Sequence, residues 1–244
     1  MEDSKSRTKV VETKRRSNSK ETYCVTGATG YVGSWLVKTL LENGFRVHAT
    51  VRDPAKCLHL LSMWTGSDRL RLFQADLHEE GSFNEAVKGC VGVFHVAASM
   101  EFGVDMEDEN IESCVQSNFI DPAINGTLNL LRACLECKSV KRVVFTSSIS
   151  TLTAKDSNGE WKQVVDEFSQ THVDHVRKIK ASGWVVPLSL SLLFNALSKL
   201  LSEEEAFRFA SDNGIDLVSV ITATVAGPFL TTNVPSSIQF SCHH

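Results

Sequence analysis

The chain has 244 residues, 42% of them apolar and 22% charged, the composition of a globular protein able to bury a core without metal or disulfide support. Its net charge is −4, yet residues 1–20 hold seven Lys or Arg against three acids, a net of +4 that leaves −8 on residues 21–244. So acidic a body excludes binding of a nucleic-acid backbone as the main task.

Residues 1–20, with their "KRRSNSK" run, read as a disordered, solvated basic tail. The tail has no apolar core of the kind a secretory leader carries. Strand patterns then alternate with helical ones along residues 21–244. Strands are expected at Thr22–Thr26, Phe45–Val51, Leu70–Gln74, Val91–Val96, Lys141–Thr146 and Asp216–Ile221. Helices are expected at Val32–Glu42, Phe83–Lys88 and Asn125–Leu135, with a long one ending near Asp212 and closed by Asn213–Gly214. This order predicts an α/β protein, a doubly wound parallel sheet with helices on both faces. Asp156–Lys180 reads as a long polar loop beside the site. The longest apolar run, Trp184–Leu197, is broken by Pro187, serines and Asn195 and is too short to span a bilayer. Seven scattered cysteines point to reduced thiols and a cytoplasmic protein.

The stretch "VTGATGYVGSWLVKTLL" carries the most information. Gly27, Gly30 and Gly33 are spaced G-x-x-G-x-x-G between an apolar strand and an amphipathic helix. That context fits a dinucleotide: a tight turn at Gly27, a close backbone approach at Gly30, close helix packing at Gly33, and a helix N-terminus facing the pyrophosphate. The residues alone leave the nucleotide open. Asp53 lies twenty residues past Gly33, where an acid would hold the ribose of NAD, whereas Arg52 and Lys56 beside it would favour a 2′-phosphate. Asp76 is open too, as an adenine contact or as a plain helix cap.

Several stretches together resemble the plant dihydroflavonol reductase and anthocyanidin reductase branch of the extended short-chain dehydrogenases. They are "VTGATGYVGSWLVKTLLENG", "HATVRDP", "ADLHEEGSFNEAVKGCVGVFHVAA", "KSVKRVVFTSSIS", "SKLLSEEEAFRFASDNGIDLVSVI" and "VAGPF", and the resemblance runs from about Tyr23 to Gln239. It implies a Rossmann domain over 21–244 and an NADPH-dependent reductase of carbonyl groups on a small phenolic or flavonoid-type substrate, with neither nucleic acid nor membrane as partner. Arg52 and Lys56 match the positions that hold the 2′-phosphate, so NADP(H) is the cofactor implied. The implied cofactor set is Gly27, Thr29, Gly30, Tyr31, Val32, Gly33, Arg52, Lys56, Asp76, Leu77, Val96, Ala97, Ala98, Ser147 and Lys199. Ser148 and Lys199 match the catalytic serine and lysine. Thr153 replaces an asparagine that commonly meets the flavonoid, and Thr222 replaces a common proline, so the substrate's identity does not carry over.

The catalytic tyrosine of that branch has no counterpart. Asn195 stands four residues before Lys199, and an amide does not titrate usefully. The two tyrosines of the chain, Tyr23 and Tyr31, lie in the first strand and the glycine loop. Trp184 and Lys199 are fifteen residues apart, where the branch has six, so "VPLSLSLLFNA" (186–196) is an atypical insert expected to break the active-site helix. Eight residues in a row there can be encoded by pyrimidine-only codons, as in a translated polypyrimidine tract, so a splice variant or a gene-model error is expected, with a genuine apolar insertion loop as the alternative. The chain ends in "FSCHH" where the branch continues, so an incomplete C-terminal substrate lobe and an exposed edge at the sixth strand are expected. Three outcomes follow: a reductase with another proton donor, a non-catalytic NADP-binding isoform in a homo- or hetero-dimer with full-length subunits, or a non-functional product. Cys134 and Cys137, the "CHH" end, His172 and His175 carry no expected chemistry, and "SEEEAF" from Ser202 reads as a charged helix face.

Overall fold

Six short segments rich in β-branched and aromatic residues pair in parallel, and helices supply the crossovers that parallel pairing needs. The computed structural model of the chain describes residues 20–57, 62, 68–98, 115–152, 163–166, 169, 187–231, 234–235 and 238, and at 56, 150 and 187–195 the backbone only. The elements in order are β1 (Thr22–Val25), α1 (Tyr31–Glu42), β2 (Arg46–Val51), β3 (Leu70–Gln74), α2 (Asn84–Val87), β4 (Gly92–His95), α3 (Asp121–Cys137), β5 (Arg142–Ser148), α4 (Pro187–Asn213) and β6 (Leu217–Thr222). The strands form one sheet in the order β3-β2-β1-β4-β5-β6, every pair parallel. This is the doubly wound sheet expected from the sequence.

The order fixes the site. The chain steps outward from β1 to β3 and returns to β4 on the other side of β1. The loops after β1 and β4 therefore part at the switch point and leave a crevice at the carboxyl ends of the strands. On one face Val37, Leu40 and Leu41 of α1 pack on Val25, Val47, Ala49 and Val51. Leu41 has no exposed surface and stabilises this contact by roughly 2–3 kcal/mol. A second cluster joins Phe83, Ala86 and Val87 around α2 to Leu130, Leu131 and Cys134 of α3, Val143 of β5 and Ala206 of α4. A third, of Val115, Ile120, Leu197 and Leu200, seats α4 against the π-helical turn Gln116–Ile120 that leads into α3.

Two elements differ from expectation. α3 begins at Asp121, four residues early, because Pro122 falls in the first turn, where a missing N–H costs nothing. The break expected at 186–196 is not seen: α4 runs from Pro187 through Asn213, and residues 187–196 form its N-terminal turns. β6 is an edge strand among the described residues, with Val218 37% and Val220 44% exposed. No helix among the described residues is long and apolar enough to cross a membrane. Residues 1–19, most of 156–180, Thr153, His172, His175, Trp184 and the end at 242–244 lie outside the described residues.

Candidate active site

Thr26, the residue before the glycine loop, organises the crevice. Its Oγ1 accepts the N–H groups of Val96 and Ala97 at 3.1 and 3.0 Å, which ties the loop after β4 to the end of β1. With both lone pairs used, its proton points to His95 Nδ1, 3.0 Å away. These partners assign the His95 proton to Nε2, which faces Thr127 Oγ1 on α3 at 3.4 Å. His95 is 3% exposed. Burial, and secondarily the Lys199 charge, push its pKa down to about 3. Below pH 6.5 the unfolded chain takes up a proton that the folded imidazole refuses until about pH 3, so stability falls with pH across that window. Moving from pH 7 to pH 5 is expected to cost about 2 kcal/mol through His95, read as a lower urea midpoint. His95→Gln should remove that part of the slope, and an unchanged slope would place the acid sensitivity elsewhere.

The glycine loop lies against this tie. Gly27 has φ +65°, and a Cβ on it would meet Ala97 Cα at 2.9 Å. A Cβ on Gly33 would stand 2.2 Å from the Gly27 carbonyl oxygen, so α1 starts in contact with the loop's own backbone. Tyr31, Val32 and Gly33 of that first turn line the crevice, at the positive end of the α1 dipole.

The crevice is a cavity of about 590 Å³. Gly27, Thr29, Gly30, Tyr31, Val32 and Gly33 wall one side, Arg52 follows β2, Asp76 and Leu77 follow β3, and Val96, Ala97 and Ala98 follow β4. Ser147, Ser148 and Lys199 close the far end beside Thr222. Every residue of the implied cofactor set except Lys56 therefore lines one cavity. Lys56 lies in the 3₁₀ turn Pro54–Cys57 after β2, and its side chain is outside the described part. The same holds for the side chain of Asn195, whose backbone is inside α4.

The two aspartates are settled by their partners. Asp53 does not line the cavity, and its Oδ1 accepts the Ala55 N–H at 2.9 Å, capping the turn after β2. Asp76 lines the cavity, and its Oδ1 accepts the His78 N–H at 2.9 Å, which fastens a turn after β3 rather than capping a helix.

At the far end Lys199 Nζ donates to the Thr146 carbonyl at 2.9 Å and lies 5.2 Å from the Phe145 ring centroid. Burial lowers its pKa to about 8, and the charge of Glu203 works against that fall. Glu203 corrects the reading of "SEEEAF" as a charged face: it is 5% exposed and accepts a 2.6 Å hydrogen bond from Ser147 Oγ. Glu204 is exposed, and Glu205 pairs with Arg208. Glu203 and the Thr26–His95 pair were missed in the sequence. The signal for Glu203 is its place four residues after Lys199, on one helix face. Tyr31, at the start of α1, spends its hydroxyl on the Gly227 carbonyl at 2.9 Å, and Tyr23 lies in β1 against Phe45 and Phe94. Cys134 is buried in the core, with its thiol pushed up by burial, and Cys137 turns its Sγ to the Val87 carbonyl.

Comparison with known proteins agrees with this geometry. The model of the NAD dependent epimerase/dehydratase family matches residues 23–175. A Ginkgo biloba protein provisionally named an anthocyanidin reductase is 46% identical over 223 residues, covering 90% of this chain and 60% of its own length. The bifunctional dihydroflavonol 4-reductase/flavanone 4-reductase of Malus domestica is 42% identical over 222 residues, covering 89% of this chain and 58% of its own. The crystal structure of vestitone reductase from alfalfa superposes with a TM-score of 0.72 at 35% identity, covering 91% of this chain and 63% of that one. The chain spans about 60% of the length of the curated relatives it matches.

Proposed function

The chain belongs to the NAD dependent epimerase/dehydratase family, and we propose that it binds NADPH and serves the reduction of a carbonyl group on a flavonoid-type phenolic substrate. One observation carries the reading: a single cavity joins the first turn of α1 and Arg52 at one end to Ser148 and Lys199 at the other. Its volume of about 590 Å³ lies in the range of cofactor sites. The close contact of Gly33 with Gly27 holds the first turn of α1 against the loop, the arrangement that a pyrophosphate cradle needs, and a side chain on Gly33 would strike the Gly27 carbonyl and force the two apart.

The nucleotide, when bound, supplies the hydride. The chain's own residues divide the other tasks. Val32 and Gly33 present backbone N–H groups and the helix dipole to the phosphates, while the Gly30 N–H closes the loop on the Gly27 carbonyl at 3.0 Å. Val96, Ala97 and Ala98 form an apolar wall that keeps water from the reacting end. Ser148 offers a hydroxyl to the carbonyl oxygen, and Lys199 holds a positive charge beside it. The preference for NADPH rests on Arg52, which lines the cavity while Asp53 is occupied as a cap. NADPH is expected to bind at least about tenfold more tightly than NADH, and Arg52→Ala should weaken NADPH by roughly 10- to 100-fold while leaving NADH nearly unchanged. Calorimetric titration of both nucleotides checks this, and equal affinities would refute the 2′-phosphate assignment.

A second reading, a nucleotide-binding form that turns over little, is favoured by the tyrosines. Tyr31 lines the cavity but gives its hydroxyl proton to the Gly227 carbonyl, and Tyr23 packs in β1 against Phe45 and Phe94, so both phenols are already engaged.

A further inference from the structure

Glu203 has no place in the chemistry described so far, yet it is one of the most enclosed charged groups among the described residues. A carboxylate is rarely buried without a partner that repays its lost hydration. Its neighbours Glu204 and Glu205 face outward or pair at the surface, so the burial of Glu203 is specific to that position. We propose that Glu203 is a positioning residue of the nucleotide site, a carboxylate that registers the end of β5 and keeps the Lys199 ammonium charged where the nucleotide is held. The proposal rests on the NADPH-binding reading above.

Three contacts carry it. Lys199 and Glu203 are one turn apart on α4, hence on one face, and that face meets β5. Lys199 Nζ holds the Thr146 carbonyl at 2.9 Å, and Glu203 Oε2 holds the hydroxyl of the next residue, Ser147, at 2.6 Å. The following residue is Ser148, so the two charged groups grip consecutive positions that lead to the catalytic serine. Ser147 is also fixed from the other side, its carbonyl taking the Thr222 hydroxyl of β6 at 3.1 Å.

The charge argument follows from what surrounds Lys199. Burial alone favours a neutral amine, and a neutral amine would take one positive charge from the wall of a cavity that holds an anionic nucleotide. Among the described groups packed around it, His95 of β4 is neutral and contributes no negative charge. Asp76 and His78 line the same cavity from the end of β3. α3 brings Ala123 and Thr127 to the small pocket behind the ammonium, and β5 brings Phe145, all uncharged. Glu203 is thus the acid that opposes the effect of burial on Lys199.

The test uses the whole chain and Glu203→Gln, which keeps an oxygen acceptor for Ser147 and removes the charge. Lys199 is titrated by NMR on ε-carbon-labelled lysine, its signal assigned with Lys199→Arg, and NADPH affinity is measured from pH 6 to pH 9 on the same samples. The native midpoint is expected near 8, and the variant's about one pH unit lower. NADPH affinity of the variant should fall about fivefold at pH 8 and about ninefold at pH 9, and return to near native at pH 6. A Lys199 midpoint that does not move overturns the proposal. So does a loss of affinity that is equal at every pH, which is what a purely packing role would give. If the midpoint moves but neither protein binds NADPH, the coupling of Glu203 to Lys199 stands and the nucleotide reading is what fails.

Discussion

Gly33→Ala is expected to abolish NADPH binding, with the affinity falling more than about a hundredfold, equivalent to roughly 2.7 kcal/mol. The reason is steric and has no cheap escape. The new methyl carbon would stand 2.2 Å from the oxygen and 2.9 Å from the carbon of the Gly27 carbonyl. Both are backbone atoms, so no rotamer change relieves the overlap. Either α1 retreats or the loop opens. Retreat is opposed by Val37, Leu40 and Leu41, which lock α1 onto β1 and β2. Opening the loop breaks the 3.0 Å hydrogen bond from the Gly30 N–H to the Gly27 carbonyl and moves the N–H groups off the phosphates. Overpacking of this kind also costs about 1–3 kcal/mol of stability, visible as a lower melting temperature. Titration by nucleotide fluorescence reads the loss of binding by Gly33→Ala. Gly30→Ala is the control for the fold, not for binding, because Gly30 itself lies where the pyrophosphate approaches. Its Cβ would meet the same oxygen at 3.2 Å, and its φ of −77° suits any residue, so a small shift absorbs it. The melting temperature should therefore fall for Gly33→Ala and stay near native for Gly30→Ala, and equal melting temperatures would mean that the contact of α1 with the loop is not what shapes the site.

That loop was legible because everything it needs is local: a strand, a turn that only glycine fits, and a helix, all within about twenty residues. The Rossmann order followed from the same alternation. The misses have different physics. Pro122 looks like a breaker, but a helix tolerates proline in its first turn, so α3 starts earlier than its apolar pattern shows. Residues 188–196 are leucines and serines followed by Phe194, Asn195 and Ala196, with Pro187 before them, so the stretch can extend a helix as readily as interrupt one, and α4 takes it as its first turns. Glu203 is hidden among three consecutive glutamates, and only its partner Ser147, 56 residues earlier, separates it from the solvated ones. The pairing of Thr26 with His95 spans 69 residues and depends on the sheet order, which no local pattern encodes. What the chain spells locally is the nucleotide cradle, and what tunes the reacting end comes from packing.

The continuity of α4 makes the missing phenol testable by a point change. Because the helix is unbroken from Pro187, position 195 lies one turn before Lys199 on the same face, as the tyrosine of the reductase pattern does relative to its lysine. Asn195→Tyr is therefore expected to raise carbonyl turnover by about 10² to 10⁴, the usual contribution of a general acid, with NADPH affinity changed by only a few-fold. Excision of the insert, with Tyr-Val in place of residues 186–196, is expected to do the same if the added turns are silent. The two constructions then separate two causes. Restoration by both means that the native chain lacks only a proton donor, and Ser148 and Lys199 already stand where the chemistry needs them. Restoration by excision alone means that the added turns, or the segment they displace, obstruct the substrate. If NADPH binds to all three proteins and none turns over a dihydroflavonol, proton donation is not the limiting deficit, and the chain is a nucleotide-binding body whose substrate pocket must come from elsewhere. The pH profile decides the role of the phenol: with the Lys199 charge beside it, the restored tyrosine should titrate below its ordinary value near 10, so turnover should fall as pH rises through that lowered value. A profile that stays flat to pH 10 would deny the tyrosine its part as the acid.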